Sequence, residues 1–444
     1  MIHTFLKAYF NEFRYDALPY SRYKAVKKEW LAEEPVLHIP RWPYVRRHKT
    51  ELIVKTFSAV LFGKLGKNRM RTSAGEFDLE DGDVFDLMKV VESAKKGHIP
   101  YFGFLAYDAH PWSEPQYRQS DFYGLPDFYL LFPAEILIID HHSGEMRIGN
   151  APQRKMEMAE EKKAGLSCGA VEFHEDREQY LTKIKKIRNL IAAGEVYQIN
   201  YTTRLSASCG GDGYTFFKTL DKHNPAPFAV YARLPHCRII SNSPERFVLL
   251  NDGTVLTEPI KGTIQRYDDP EQDAGAKNIL RNSEKDAAEL SMIVDLLRND
   301  LSKVCNAGSV LVESHRRLET FRNVHHLVST ITGKLQKGKT AVDLLRAVFP
   351  GGSISGCPKV AALRYIRNLE EHNRSFYTGS FFISNLADGT FDSSILIRTG
   401  ILKDGRIHFQ VGGGIVTDSD PAAEYQECLA KAASFIRTVE ALRG

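Results

Sequence analysis

The stretch FVLLNDGTVLTEPIKGTIQR, Phe247 to Arg266, decides how the chain is read. Two β-forming runs flank Asn251-Asp252-Gly253, so 247–260 reads as a hairpin with those residues as its turn. Lys261 follows, between Pro259-Ile260 and Gly262-Thr263, in what reads as a tight turn. A lysine in a surface turn is ordinarily a solvated charge, but one pressed against glycine and flanked by apolar residues can act as a nucleophile. Upstream, SNSPERF places Glu245 before the first strand of the hairpin. Adjacent antiparallel strands can bring such a carboxylate and lysine to one pocket.

The surrounding 444 residues are 43% hydrophobic, enough for a substantial core in one large domain or two ordinary ones. Lys and Arg total 59 against 55 Asp and Glu, a formal charge of +4, which is too mild to indicate a nucleic-acid partner. The cysteines at 168, 209, 237, 305, 357 and 428 form no C-x-x-C pair and lack the density of a secreted disulfide scaffold, so reduced thiols in a cytoplasmic protein are expected. The N-terminus MIHTFLKAYFNEFRYD has no signal-peptide pattern, and no run approaches the ~18 apolar residues of a membrane span.

Short β-like runs such as FGFLAYDA (102–109) and FYLLFPAEILIID (128–140) fill an N-terminal portion, 1–160, and a charged stretch through 151–175 reads as an exposed connection to a second portion, 175–444. Tyr180, Ile184, Ile187 and Ile191 predict a helix over 176–193, stopped at Gly194, with VYQINYTTRL as the next strand. Ser283 and Asp286 form a capping box before AAELSMIVDLLRNDL, whose apolar stripe is Leu290, Ile293, Val294, Leu297 and Leu301. Glu289 lies on or beside that stripe, where a carboxylate either reaches water at the edge or needs a partner. A second helix starts at Asp420-Pro421 and carries Glu424, Glu427 and Lys431 on one face, with Tyr425, Leu429, Ile436 and Val439 on another. Such a face is either a solvated salt-bridge ladder or a source of carboxylates for a metal. The mixture of strands and helices in both portions indicates an α/β (α+β) architecture.

Residues 333–340, GKLQKGKT, fit the phosphate-loop pattern G-x-x-x-x-G-K-[ST]. Thr340 and Asp343 also form a T-x-x-D capping box, which explains the threonine as a helix N-cap and leaves an ordinary exposed turn. A nucleotide-binding module is the competing function class that this segment offers.

The segments SPERF, PIKGT, AAELSMIVDLLRNDLSKV, VHHLVSTITGKL, FPGGSISGCPKVAALRYI, ILIRTG and GGGIVTDSDPAAEYQE, in this order and spacing, resemble the chorismate-binding enzymes. The resemblance is strong over about 175–440 and weaker in FGFLAYDA. It implies two packed antiparallel β-sheets with helices on the outside, as in anthranilate synthase component I. Within the family, lysine in PIKGT is similar to the branch that forms 4-amino-4-deoxychorismate on the folate route, whereas anthranilate synthases usually carry alanine there. Anthranilate synthase component I is the nearest alternative.

The resemblance also implies roles. Lys261 would attack C2 of chorismate as a neutral amine, its pKa depressed by Pro259 and Ile260, and Glu245 would protonate the departing C4 hydroxyl. A salt bridge from Glu245 to Arg246 or to another surface base is the alternative that its surroundings leave open. Glu289 and Glu427, with Glu424 close by, would hold Mg²⁺ against the ring carboxylate. His326 would lie beside the ring, with His325 outside that role. Thr263 and the backbone of Gly412, Gly413 and Gly414 would contact substrate, and Arg398, Tyr377 and Lys431 would engage the enolpyruvyl carboxylate. No G-x-C-x-G glutaminase elbow occurs, Cys209 in ASCGGDG included, and the chain ends about one helix after Glu427. Ammonia is therefore expected from a separate glutamine amidotransferase subunit, and no fused lyase is expected. No Leu-Leu-Glu-Ser-like segment for tryptophan is found, and Cys357 stands where the family often has alanine.

Overall fold

The computed structural model describes all residues except 45–47, 96–98, 113–120, 152–154, 157–164, 321–323, 386–389 and 444. Part of the 151–175 connection therefore lies outside the described residues. What is described of it includes the short strands Ser167–Cys168 and Glu172–Phe173.

Among the named strands every pairing is antiparallel, and the ladder folds into two facing layers. One layer runs through Tyr101–Leu105, Ser380–Ser384, Phe391–Ile395, Arg246–Asn251, Thr254–Thr257 and Val324–Lys334, with Ile260–Gln265 also bound to Val324–Lys334. The other runs through Leu37–Tyr44, Phe228–Arg233, Arg238–Ser243, Thr399–Lys403, Arg406–Ile415 and Gln198–Gly210. Two long N-terminal strands, His48–Lys64 and Phe128–Asp140, pair with each other and join the layers. Trp42 lies between the layers, its ring edge-on to Phe228 of one and Phe381 of the other. Residues of the first 160 thus hydrogen-bond directly to strands of the remainder.

Local chemistry explains the elements that matter for the site. The hairpin closes on two central residues, Asp252 and Gly253, both at positive φ, while Asn251 pairs with Thr254 as the last strand pair. That twist suits right-handed strands and is open to Asp-Gly. The helix Arg177–Ala192 begins at Asp176, whose carboxylate and the Gln179 side chain form a reciprocal capping box. Helix Glu284–Ser302 starts at Ser283, which accepts from the Asp286 amide, so half of the expected box is formed. Its stripe of Leu290, Ile293, Val294, Leu297 and Leu301 is buried as expected.

Helix Pro421–Ala441 corrects the sequence reading. Its buried face is Glu424, Cys428, Ala432, Phe435 and Val439, with Phe435 stacked on Phe409 of the sheet at 4.3 Å. Tyr425, Leu429 and Ile436 are only half-buried. The small residues Cys428 and Ala432 share the face that meets the sheet with Phe435 and with Val439, which is buried as expected, while Tyr425, Leu429 and Ile436 fall to its flanks. No described helix is long and apolar enough to cross a membrane.

Candidate active site

The site gathers where one layer's strand Ile260–Gln265 approaches the other layer's strand Arg406–Ile415. Helix Glu284–Ser302 covers the first and helix Pro421–Ala441 the second, so each contributes carboxylates from outside. Glu245 comes from the short crossing Pro244-Glu245 between strands of the two layers.

Lys261 is in a strand, not the tight turn expected from sequence. It pairs with Leu327, and the register then slips at Gly262, which has φ of 69°. That bulge turns the following residues, and a Cβ on Gly262 would come within 2.9 Å of Asp286 and Leu280. The Lys261 ammonium lies 3.7 Å from the Glu289 carboxylate, and 3.2 Å from where a Cβ on Gly414 would stand. The amine therefore faces a carboxylate and a bare strand rather than the apolar surroundings expected from Pro259 and Ile260.

Glu245 is 6% exposed and accepts a 2.9 Å hydrogen bond from Ser353 Oγ. Burial pushes its carboxyl up to about 7, opposed in part by the Ser353 hydroxyl and the charges of Lys261 and Lys431. It is thus a carboxylic acid that still carries its proton close to neutrality. The pairing with Arg246 left open by the sequence does not occur: Arg246 bonds Asp392 at 3.0 Å and Glu258 at 2.9 Å.

Three carboxylates and three lysines interleave. Burial raises Glu289, Lys261 and Lys285 pull it back down, and Glu427 pushes it further up. Lys431, 2.8 Å from the half-exposed Glu427, holds that carboxylate below its usual range. Glu424, 3% exposed, accepts from Lys285 at 3.0 Å and Ser419 at 2.7 Å. Among the described residues no three acidic, His or Cys side chains converge tightly enough to hold a metal. Glu289 and Glu427 nevertheless repel each other and offer only hard oxygen donors, a setting that suits a hard divalent cation with water completing its shell. Glu424 is already engaged by Lys285.

His326 is buried and pushed down to about 4, by burial first and by the Arg398 charge after the Gly262 carbonyl bond opposes it. It is a neutral imidazole, with Nδ1 2.9 Å from Thr263 Oγ1 and 3.3 Å from the Gly262 carbonyl. His325 points elsewhere, to Asp273 at 2.7 Å and Thr320 at 3.0 Å. Burial lowers the Arg398 guanidinium, and no acidic partner meets it among the described residues. Lys431 donates to the Gly412 carbonyl at 2.9 Å as well as pairing with Glu427. Tyr377, 5% exposed, is raised by burial, with the Arg374 charge pulling it back down and Glu370 pushing it further up.

The three glycines divide. A Cβ on Gly412 would strike the Tyr201 carbonyl, and one on Gly414 would strike the Gln198 amide. One on Gly413 would instead meet Glu424 Oε2 at 3.4 Å and Lys431 Nζ at 3.6 Å, which makes Gly413 the floor of the carboxylate cluster.

The structure adds residues that sequence reasoning passed over. Gln198, 0% exposed, lies against Gly414, and neither its amide nitrogen nor its oxygen has a partner among the described residues. A fully buried orphan amide beside the Lys261 amine is available to a ligand. Its signal was a glutamine inside the β-forming run VYQINYTTRL. Ser353, in FPGGSISG, carries no signal of its own in sequence and gains a role only through its bond to Glu245. Arg374, 0% exposed, bonds Glu370 and the carbonyls of Ile354 and Asn200 at 2.7 Å, locking the chain that leads to Tyr377.

Comparisons with known proteins agree with this geometry. The sequence profile described as chorismate binding enzyme matches residues 60–437. Aminodeoxychorismate synthase component 1 of Klebsiella aerogenes is 40% identical over 77% of this chain and 78% of its own length. The Escherichia coli protein of the same name is 45% identical over 60% of this chain and 58% of its own. Anthranilate synthase component 1 of Thermus thermophilus is 35% identical over 77% and 78%. Among solved structures, anthranilate synthase component I of Streptococcus pneumoniae superposes with a TM-score of 0.75 at 28% identity, covering 87% of this chain and 92% of that one. The isochorismate synthase MenF of Escherichia coli, at 17% identity and a TM-score of 0.71 over 97% and 94%, shares the fold. With its two-layered architecture, its glutamate-bearing helices and a family match spanning most of its length, the chain belongs to the chorismate binding enzymes.

Proposed function

We infer that this chain is the synthase component of an aminodeoxychorismate synthase, replacing the C4 hydroxyl of chorismate with an amino group on the folate route. The observation that carries the reading is Lys261: its amine stands inside the cluster of Glu289, Glu245 and Gly414, at the position where anthranilate synthases usually have alanine. At matching coverage the relatives named for aminodeoxychorismate synthase are the more similar, 40% against 35% over 77% of this chain and 45% over 60% against 41% over 59%, which supports it over the anthranilate alternative.

The chemistry follows from the side chains. Once its ammonium has passed a proton to solvent, the Lys261 amine forms a bond to C2 of the ring, the two ring double bonds shift, and the C4–O bond breaks. Glu245 delivers its proton to the departing oxygen, which leaves as water and not as hydroxide. Ammonia then bonds to C4, the double bonds shift back and the C2–N bond to Lys261 breaks, leaving the amine on C4. His326, kept neutral, can accept or donate a hydrogen bond at the ring without adding charge. The unpaired Arg398 guanidinium matches a carboxylate fork, and the Gln198 amide offers a donor and an acceptor beside the reacting amine.

Glu289 and Glu427 would hold Mg²⁺, and Glu424 would join them once Lys285 releases it. When bound, the cation neutralises the ring carboxylate and fixes the substrate's orientation. A partner amidotransferase subunit would supply ammonia from glutamine. Support for a partner is that the relatives at 40% and 45% identity are named as component 1 of the synthase.

The test is product analysis with chorismate, ammonium and Mg²⁺. 4-Aminobenzoate formed only after a lyase is added supports the assignment, and direct appearance of fluorescent anthranilate overturns it. Full turnover in excess EDTA would remove the metal from the scheme.

A further inference from the structure

Away from the active site, two thiols are built against each other. Cys168 of the strand Ser167–Cys168 is the direct ladder partner of Cys209 in the antiparallel strand Gln198–Gly210. Neither residue spends its amide on the other: Cys168 N–H donates to the Leu442 carbonyl at 2.9 Å and Cys209 N–H to the Gly405 carbonyl at 2.7 Å. Theirs is therefore the pairing type that lacks mutual hydrogen bonds, in which facing side chains come closest. The two Sγ atoms are 2.8 Å apart, and both residues are buried, at 3% and 2% exposure. No other pair of the six cysteines is in such contact among the described residues.

We propose that Cys168 and Cys209 are a redox-modification site, a dithiol that a peroxide-class oxidant converts to a cross-strand disulfide. The atoms balance without any group from the active site. The Cys168 thiolate attacks the peroxide O–O bond, giving a sulfenic acid and, with the proton it released, one water. Cys209 sulfur then displaces the hydroxyl of that sulfenic acid, its own proton leaving with it as a second water, and the S–S bond forms. Two thiols are oxidised and one peroxide is reduced. Cys168 is the attacking group because it lies on a two-residue strand next to the exposed Ser167, whereas Cys209 lies within the long strand Gln198–Gly210. The hydrogen bond with Cys209 also holds its thiol below the usual range.

The bond would join the two ends of a segment that contains the whole helix Arg177–Ala192. Cys168 also makes a parallel β-bridge with Arg443, just past the helix Pro421–Ala441 that carries Glu424, Glu427 and Lys431. Oxidation thus fastens the base of a site-bearing helix and removes freedom from the unfolded chain.

The experiment treats the full chain with hydrogen peroxide, counts thiols after denaturation and maps peptides without reductant. The expected result is the loss of two thiols, one cross-linked peptide containing Cys168 and Cys209, reversal by dithiothreitol, and a melting temperature several degrees above that of the reduced chain. Cys168→Ala and Cys209→Ala should each abolish the cross-link. Retention of all six thiols, or oxidation that ends in sulfinic or sulfonic acid at Cys168, overturns the site. A cross-link with no change in melting overturns the fastening. The peptide map of the unmutated chain decides the first question even where the alanine variants fold poorly.

Discussion

Lys261 and Lys339 each follow or precede a glycine in a short motif with a known chemical meaning, yet the structure gives them opposite fates. Lys339 is exposed, on a turn where its amide donates to the Gln336 carbonyl. The helix N-terminus that would receive a phosphate is already taken. Asp343 accepts from the Thr340 amide at 2.9 Å, and Lys89 pairs with Asp343 at 3.2 Å. An anion placed there would meet a carboxylate. The open depression beside the turn, about 730 Å³ and lined by Lys89, Lys95, Lys337 and Lys339, is floored by the same capping box. Lys261 is instead enclosed by elements from both layers, within reach of groups far away in sequence. A motif becomes a site when unrelated segments close on it.

The hardest blow to this comparison would be equal behaviour of the two lysines. Lys261→Ala should lower aminodeoxychorismate formation on the order of 10⁴-fold while circular dichroism and melting stay normal. Lys339→Ala should leave steady-state rates and melting within error, being an exposed turn substitution. Measured turnover that survives the first change, or collapses with the second, would reverse the assignment.

The contrast also shows what was legible beforehand. Caps, periodicity and turn residues located the helix Arg177–Ala192, the helix Glu284–Ser302 and the Asp252-Gly253 hairpin, because those signals act within a few residues. Motif order pointed to candidate site residues, and the structure draws Glu245, Lys261, Glu289, Glu424, Glu427 and Lys431 together. What escaped depends on distant partners. Lys261 reads as a turn because the strand Val324–Lys334 that makes it β comes some sixty residues later. The buried face of the last helix mixes small Cys428 and Ala432 with Phe435 and Val439, a choice made by contact with the sheet and not by local hydrophobic spacing. Gln198 and Ser353 are polar residues whose meaning appears only when burial is known.

Glu245→Gln sharpens the comparison next. It keeps the shape and removes the transferable proton, so kcat should fall by about 10²- to 10⁴-fold. Stability should move the other way. With its folded pKa raised to about 7 from a usual 4.5, the native state holds a proton that the unfolded chain has released. Native stability therefore falls as pH rises from 4.5 to 7, by on the order of 3 kcal/mol. The glutamine variant does not suffer this loss, so chemical denaturation should find it more stable than the parent at pH 8 and nearly equal to it at pH 4. A variant no more stable at pH 8 would mean that Glu245 ionises normally.

Smaller effects separate the glycines. Gly412→Ala drives a methyl into the Tyr201 carbonyl and should destabilise the chain by about 2–4 kcal/mol. Gly413→Ala meets only the ends of Glu424 and Lys431, so melting should hold. Its methyl crowds the carboxylate cluster, and KM for chorismate should rise about 10-fold. Matching losses of stability in both variants would deny Gly413 its place in the site.

The smallest effect is the most specific. Ser353 Oγ donates to Glu245 at 2.9 Å and favours the ionised carboxylate. Ser353→Ala removes that donor, so the Glu245 pKa should rise further. Since the acid form is the active one, the alkaline limb of the kcat profile should move to higher pH, while kcat at its plateau changes by about threefold or less. Linkage adds a second readout of the same sign. The pH range over which the native state retains the extra proton widens upward, so stability lost between pH 5 and pH 8 should be greater in the variant than in the parent. A serine that merely packs would lower stability equally at both values and leave the limb in place. Joint movement of limb and stability therefore identifies Ser353 as the residue that positions the acid's proton, acting through Glu245 without touching substrate.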